Sequence, residues 1–310
     1  MKVHHDIEKL PAFKNAVITI GTFDGVHAGH QKIIAALKAE AATVVGETVI
    51  ITFNPHPRKI VKAIDPLQLI NTLEEKIDLL TKAGIDHLVV VPFTPAFSEL
   101  TADEYIVNFL IGKFHPVSII IGYDHHFGKG RSGNYTLLEE QAAEFNYNLV
   151  EIPKHLLDEV GVSSTKIRNA ILSGDITAAN KLLGYSFFFD GRVVKGDQLG
   201  RTLGYPTANL ELIHDDKIRL GHGVYAVYAS INGERRKGML SIGNRPTLVA
   251  SEEKIEVNIF DFNKTIYGET VHITVEHFLR PQEKYPSLDV MVQQLHKDKE
   301  KSLELLSGIS

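Results

Sequence analysis

The chain has 310 residues, 44% hydrophobic and 23% charged, the balance of a soluble globular protein with apolar side chains enough for two cores. Lys and Arg total 33 against 38 Asp and Glu, and a net charge of −5 argues against a nucleic-acid binder, which shows a basic face. Cysteine is absent, which excludes a disulfide framework and a thiolate metal site. The opening MKVHHDIEKLPAF lacks the apolar core of a signal peptide, and no apolar run reaches the roughly 18 residues of a membrane span, so a cytoplasmic protein is expected.

Five short runs rich in Val and Ile punctuate the first half: AVITI (16–20), TVIITF (48–53), HLVVVPF (87–93), VSIII (117–121) and NLVEI (148–152). Each is bounded by Gly, Pro, Asn or Asp, the pattern of strands buried on both faces. Helical patterns lie between them, with Ile33, Ile34, Leu37 and Ala41 on one face of the first. Asn71 to Glu74, Thr101 to Glu104 and Thr136 to Glu139 have the spacing of capping boxes. The alternation predicts a doubly wound α/β sheet. A helical stretch over roughly 164–183 ends at Gly184, which places a domain boundary between residues 1–184 and 185–310.

Beyond 184 the segments YSFFFDGRVV, GVYAVYASI, RRKGMLSIG, KIEVNIFDF and ETVHITVEHFL read as strands, and Asn232-Gly233 is a hairpin signal. Helical crossovers do not fit between them, so an antiparallel sheet or small closed barrel is predicted. A closing helix is expected from Ser287 as N-cap, with Leu288, Met291, Val292 and Leu295 on its apolar face.

In an open α/β sheet, ligands bind outside the carboxyl ends of the strands. GTFDGVHAGH (21–30), NPHPRK (54–59) and GYDHHFGKGRSG (122–133) all fall there. Gly21, Gly25 and Gly29 allow close backbone approach, and the helix starting near His30 offers free N–H groups to an anion. His27 and His30 can donate to phosphate oxygens, so a nucleoside triphosphate is the ligand that suits the edge. Gly128, Lys129, Gly130, Arg131 and Gly133 read as a second, flexible cationic loop, and Ser163, Ser164, Thr165, Lys166 and Arg168 as further phosphate donors. The plain alternative is that these histidines are surface residues. HxxH without nearby carboxylates is a poor metal signal.

The second half carries VVKGDQLGRTLGYPTANLEL (193–212). Gly196, Gly200 and Gly204 form a loop able to cover phosphates, and Pro206 leads into Thr207 and Asn209, two apart on an extended segment and so on one face. Their oxygens suit a hard cation such as Mg²⁺; the alternative is a glycine-rich turn before an edge strand.

HAGH inside GTFDGVHAGH resembles the (H/T)xGH signature of nucleotidylyltransferases. Together with FNPHP, GYDHHFG and VSSTKIR it resembles the adenylyltransferase half of the bacterial bifunctional riboflavin kinase/FAD synthetases. GRTLGYPTAN, GVYAV, SIGNRPT, IEVNIFDF, IYGE and FLRPQEKYPSLDVM resemble the kinase half, in the family's order. The resemblance implies a Rossmann-like nucleotidylyltransferase domain followed by a six-stranded antiparallel β-barrel riboflavin kinase domain with a C-terminal helix. It implies phosphorylation of riboflavin to FMN, then transfer of AMP from ATP to FMN giving FAD and pyrophosphate. Flavins are then substrates and products, Mg²⁺ accompanies ATP, and the enzyme is a monomer or weak homo-oligomer without nucleic-acid or membrane partners.

By position, the resemblance makes His27, His30, Arg168 and Glu256 catalytic. Glu256 becomes the base for the riboflavin 5′-hydroxyl. It assigns Gly21, Phe23, Asp24, Gly25, Asn54, Asp124, Ser163, Ser164 and Thr165, and in the second half Gly196, Gly200, Gly204 and Pro206, to ATP. Thr207 and Asn209 go to the metal, and Arg280, Glu283 and Lys284 to flavin. His125 stands where the family usually has Phe, and Asn258 where it often has His. Two rivals are a nucleotidylyltransferase with another acceptor and a flavin-binding regulator with dead sites.

Overall fold

The computed structural model describes residues 1–61, 67–153, 161–196, 199–244 and 253–308. Contacts divide the chain into two units, Met1–Ser164 and Thr165–Ser310.

The first unit is built on six parallel strands, β1 (Lys2–His4), β2 (Val17–Ile20), β3 (Thr48–Asn54), β4 (His87–Pro92), β5 (Ser118–Gly122) and β6 (Asn148–Ile152), in the order β1-β4-β3-β2-β5-β6. All five apolar runs are strands. Their continuity has a direct cause. Ile18, Val49, Ile51, Val89 and Ile119 pack into a core on one face, and Val17, Ile50, Leu88, Val90 and Ile120 into a core on the other. A sheet covered on both faces has no polar side to alternate with. β1 has no such signal. Its three residues are largely polar, and it is a strand because it pairs with β4, Val3 opposite Leu88.

Helix α1 (Ala28–Thr43) follows β2 and buries Ile34, Leu37 and Ala41, as its spacing predicts. Helix α2 (Leu73–Lys82) starts one residue later than expected. Thr72 is its N-cap and Glu75 closes the capping box by accepting from the Thr72 N–H at 3.0 Å. The box at Thr101 and Glu104 forms as expected, and the run behind it passes through a π-helical stretch, Tyr105–Ile111, that buries Tyr105, Ile106, Phe109 and Leu110. Helix α3 (Tyr135–Phe145) is capped by Asn134 rather than Thr136, and Glu139 instead accepts from the Tyr135 hydroxyl.

Within the second unit, the helical stretch expected over 164–183 is two helices, α4 (Ser164–Ser173) and α5 (Ile176–Leu183). Gly174 breaks it at φ +79°, and a Cβ there would lie 2.7 Å from the Tyr225 hydroxyl. Asp175 then caps α5, and Gly184 ends it in the left-handed region. By contact, α4 beyond its first residue and all of α5 group with the residues from 185 onward, so this division and the sequence boundary at 184 differ by these helices. Asn180 on α5 accepts from Phe187 N at 2.7 Å and donates to Val275 O at 2.9 Å.

Six antiparallel strands close into a barrel: β7 (Phe188–Val194), β8 (Ala208–Leu212), β9 (Gly223–Ile231), β10 (Glu234–Asn244), β11 (Glu253–Ile259) and β12 (Thr270–Arg280), in the order β10-β11-β8-β7-β12-β9. Closure leaves no sheet edge, which decides between the two predicted arrangements. Asn232 and Gly233, both at positive φ, turn β9 into β10. Helix α6 (Leu288–Leu305) begins at its expected cap, Ser287. Its apolar face is weaker than predicted. Leu288 is 56% exposed, Met291, Val292 and Leu295 are half-buried, and the buried positions are Asp298 and Ser302. A polar clamp explains this: Asp298 accepts from the Arg280 guanidinium at 3.0 and 2.7 Å and from Gln294 at 2.9 Å.

Candidate active sites

β2 lies between β3 and β5, so the strand order reverses there, the point at whose carboxyl ends open α/β sheets bind ligands. The loop after β2 enters it with Phe23, Gly25 and Val26 at positive φ. His27 is the N-cap of α1, 7% exposed, and its Nδ1 accepts from His30 N at 3.3 Å. With Nδ1 an acceptor, the proton of neutral His27 sits on Nε2. The two rings stack with centroids 3.7 Å apart, and Phe23 packs on His30 at 4.8 Å. Burial, His27 and the Lys76 ammonium together hold the His30 imidazole well below its ordinary 6.5, so it is neutral at pH 7. Its Nδ1 is buried without a partner.

Other residues assigned to this site support it from behind. Phe23 is buried, and the Asp24 carboxylate is engaged with the Ile70 and Asn71 N–H groups at 2.9 and 3.3 Å. Ser164 Oγ donates to the Asp24 carbonyl at 3.0 Å, anchoring the 161–164 segment to the loop. Gly21 closes β2 and is half-buried; Asn54 and Asp124 are exposed at the ends of β3 and β5; Ser163 precedes α4. Thr165 and the buried Arg168 group by contact with the second unit. The cationic loop is less free than expected. Phe127 and Gly133 form a β-bridge, and Lys129 pairs with Glu99 at 2.6 Å. His125 is half-buried, its enclosed Nε2 has no partner, and desolvation lowers its value to about 4.

Sequence reasoning missed Lys76. It lies on α2, 7% exposed, and its Nζ donates to the Thr22 carbonyl at 2.6 Å and the Thr52 hydroxyl at 3.2 Å. Its position between Leu73, Ile77 and Leu80 on the buried stripe was the available signal.

The barrel holds a cavity of about 260 Å³, lined among others by Thr207, Glu256, Asn258, Arg280, Glu283 and Tyr285. Glu256 on β11 stands opposite Asn209 on β8, so their side chains share a face, and Thr207 lies two residues before Asn209 on that face. Three oxygen donors thus sit together, a set that fits a hard cation. The Gly196 backbone lies against the Asn209 amide so closely that a Cβ would be 2.1 Å from Nδ2. Gly200 lines the cavity from the helical turn Leu199–Thr202, Gly204 turns at φ +78°, and the carbonyl of exposed Pro206 accepts from Asn258 Nδ2 at 2.7 Å. That bond gives Asn258 a structural role a neutral amide fills. Arg280 borders the cavity, but its guanidinium is held by Asp298, and Lys284 is exposed and outside the lining. Tyr285, unremarked in the sequence, brings a hydroxyl without a partner. Arg245, Pro246 and Thr247 of the SIGNRPT motif, and residues 197 and 198 of the glycine loop, lie outside the described residues.

A nucleotidyltransferase-like parallel sheet with paired histidines at a helix start, and a closed barrel with a carboxylate beside an oxygen cluster, define a two-module nucleotide-dependent phosphotransferase. Family profiles match in the same arrangement: FAD synthetase over residues 9–166 and riboflavin kinase over 183–306. The bifunctional riboflavin kinase/FMN adenylyltransferase of Listeria monocytogenes is 37% identical over 92% of this chain and 91% of its own length. That of Bacillus subtilis is 35% identical over 99% and 96%. A solved Streptococcus pneumoniae structure, described as a macrolide-efflux protein, is 34% identical over 97% of this chain and 98% of its own, with a TM-score of 0.88. The chain belongs to the bifunctional riboflavin kinase/FMN adenylyltransferase family. Among the described residues no helix is long and apolar enough to cross a membrane.

Proposed function

We propose that this chain makes FMN from riboflavin and ATP in its barrel, and FAD from FMN and ATP at the edge of its parallel sheet. The observation that carries the reading is that each matched region has its own reactive groups: stacked His27 and His30 in one, Glu256 facing a cavity in the other.

In the barrel, the Glu256 carboxylate takes the proton of the riboflavin 5′-hydroxyl as that oxygen attacks the γ-phosphorus of ATP. The bond to the β,γ-bridging oxygen breaks and ADP leaves. Thr207 and Asn209 would hold Mg²⁺, which would neutralise charge on the ATP phosphates and leave Glu256 beside them as the base. Glu283 and Tyr285 border the space left for flavin, and Arg280 orients that wall through Asp298.

At the sheet edge, an FMN phosphate oxygen attacks the α-phosphorus of the second ATP in line, the bond to the α,β-bridging oxygen breaks and pyrophosphate leaves. His27 Nε2–H and the His30 ring donate to phosphate oxygens whose charge grows in the transition state, and the start of α1 adds backbone donors. Asn54, Asp124, Ser163, Ser164, Thr165 and Arg168 are proposed to position the nucleotide. The protein is proposed to act on small molecules in the cytoplasm as a monomer or weak homo-oligomer, and its net charge of −5 speaks against a nucleic-acid partner.

The test is a time course with riboflavin, ATP and Mg²⁺, the flavins separated by chromatography. FMN should rise and give way to FAD. FMN alone would leave the histidine site with another acceptor, and neither product would favour a flavin-binding regulator.

A further inference from the structure

We propose that Lys76 is a positioning residue for adenylyl transfer: its buried ammonium ties the Thr22 carbonyl to the Thr52 hydroxyl and so sets the loop that presents His27 and His30. The inference rests on the reading of the sheet edge as the FAD-forming site.

The geometry is specific. Thr22 follows β2 and Thr52 lies in β3, so one cation bridges the carboxyl ends of two neighbouring strands. The same hydroxyl of Thr52 also donates to the Thr22 carbonyl at 3.1 Å, closing a triangle under the loop. Asp24, two residues on, fastens the loop to the start of α2 through Ile70 N and Asn71 N. The loop between these anchors carries Phe23 and Val26 at positive φ, a conformation that persists only where its surroundings fix it. His27 and His30 come directly after.

A buried lysine is a poor way to hold a fold together. Leaving water is unfavourable for an ammonium, and a neutral side chain would fill the same space at less cost. What the charge adds is a fixed positive potential beneath a site that must bind a polyanion, while His30 stays neutral. The ionisable groups around it are Asp24 from the loop after β2, which favours the charged form, and His30 from α1; on its own helix Glu75 is occupied by the capping box. Burial lowers the ammonium to about 8, so it loses its proton just above neutral pH.

The experiment compares full-length wild type with Lys76→Met and Lys76→Arg, following FAD formation from supplied FMN and, separately, FMN formation from riboflavin. Lys76→Met should lower kcat for FAD formation at pH 7 by at least about tenfold and leave FMN formation within about twofold. Wild-type FAD formation should fall above about pH 8 relative to FMN formation. Lys76→Met should lack that limb, and Lys76→Arg should recover part of the rate and push the limb upward. A Lys76→Met rate equal to wild type overturns the proposal. So does a wild-type profile without the limb, a measurement that needs no variant to fold. A drop in the melting temperature by circular dichroism in both variants, with equal loss of FAD formation, would make Lys76 merely structural. If wild type forms no FAD at all, the reading of the site fails instead.

Discussion

His27 and His30 lie face to face, ring centroids 3.7 Å apart and planes within 14°, while the His30 N–H donates to His27 Nδ1. A cation on either ring would be repelled by a cation on the other, and burial opposes both. His30 is therefore a neutral donor, held against His27 in an orientation set by the first turn of α1. His30→Ala removes one donor and the stack that steadies the other. FAD formation from supplied FMN should fall about 10²–10³-fold, with FMN formation within twofold, both measured by flavin chromatography. Equal loss of both activities in a folded variant would refute two separate sites.

Glu256→Gln keeps the shape of the side chain and removes the base. FMN formation should drop by about 10²–10⁴-fold while FAD formation from supplied FMN continues. Riboflavin phosphorylation at the wild-type rate would show that the proton leaves by another route.

Asn209 contributes one of three oxygens on the β8–β11 face, under the Gly196 backbone. Asn209→Ala should shift the Mg²⁺ concentration for half-maximal FMN formation upward by about 10–100-fold. The Mg²⁺ dependence of FAD formation should stay where it was. A common shift in both titrations would place the effect outside the barrel.

His125 is half-buried with its Nε2 enclosed and unpartnered, and desolvation lowers it to about 4 from its ordinary 6.5. The unfolded chain therefore binds a proton below pH 6.5 that the folded chain refuses until about pH 4. Stability falls as pH drops through that window. Between pH 7 and 5 this one group should cost about 2 kcal/mol. His125→Phe should lose that part of the acid sensitivity, read from urea unfolding at the two pH values. An unchanged difference would mean that His125 is already protonated, or solvated, in the native state.

The strands of the first unit were legible because sheet burial on two faces forces unbroken Val and Ile runs. β1 was not, because a lone valine between Lys2 and His4 becomes a strand only through β4. The cap of α2 lies one residue beyond the expected Asn71, since Asn71 and Thr72 are both good caps. What decides is the reach of Glu75 back to the Thr72 N–H, a fact of geometry. His27 and His30 stood out by spacing at a strand end. Lys76 did not, because a helical lysine is ordinarily solvated and only its neighbours Leu73, Ile77 and Leu80 mark it as inward-facing. The family resemblance places Arg280 near flavin, and it does line the cavity; its clamp to Asp298 was not legible, because that partner lies 18 residues on, across a turn whose course the sequence does not reveal.

Asn180 bears on any attempt to take the molecule apart. With one amide it satisfies Phe187 N at the entry to β7 and Val275 O in β12, from a helix that precedes the first strand of the barrel. A gene fragment begun at residue 185 would leave both backbone groups without that partner and strip the hydrophobic cover of Ile176, Ala179 and Leu183. A kinase expressed alone should accordingly keep its two leading helices, as a stopper keeps its collar, and begin near residue 165.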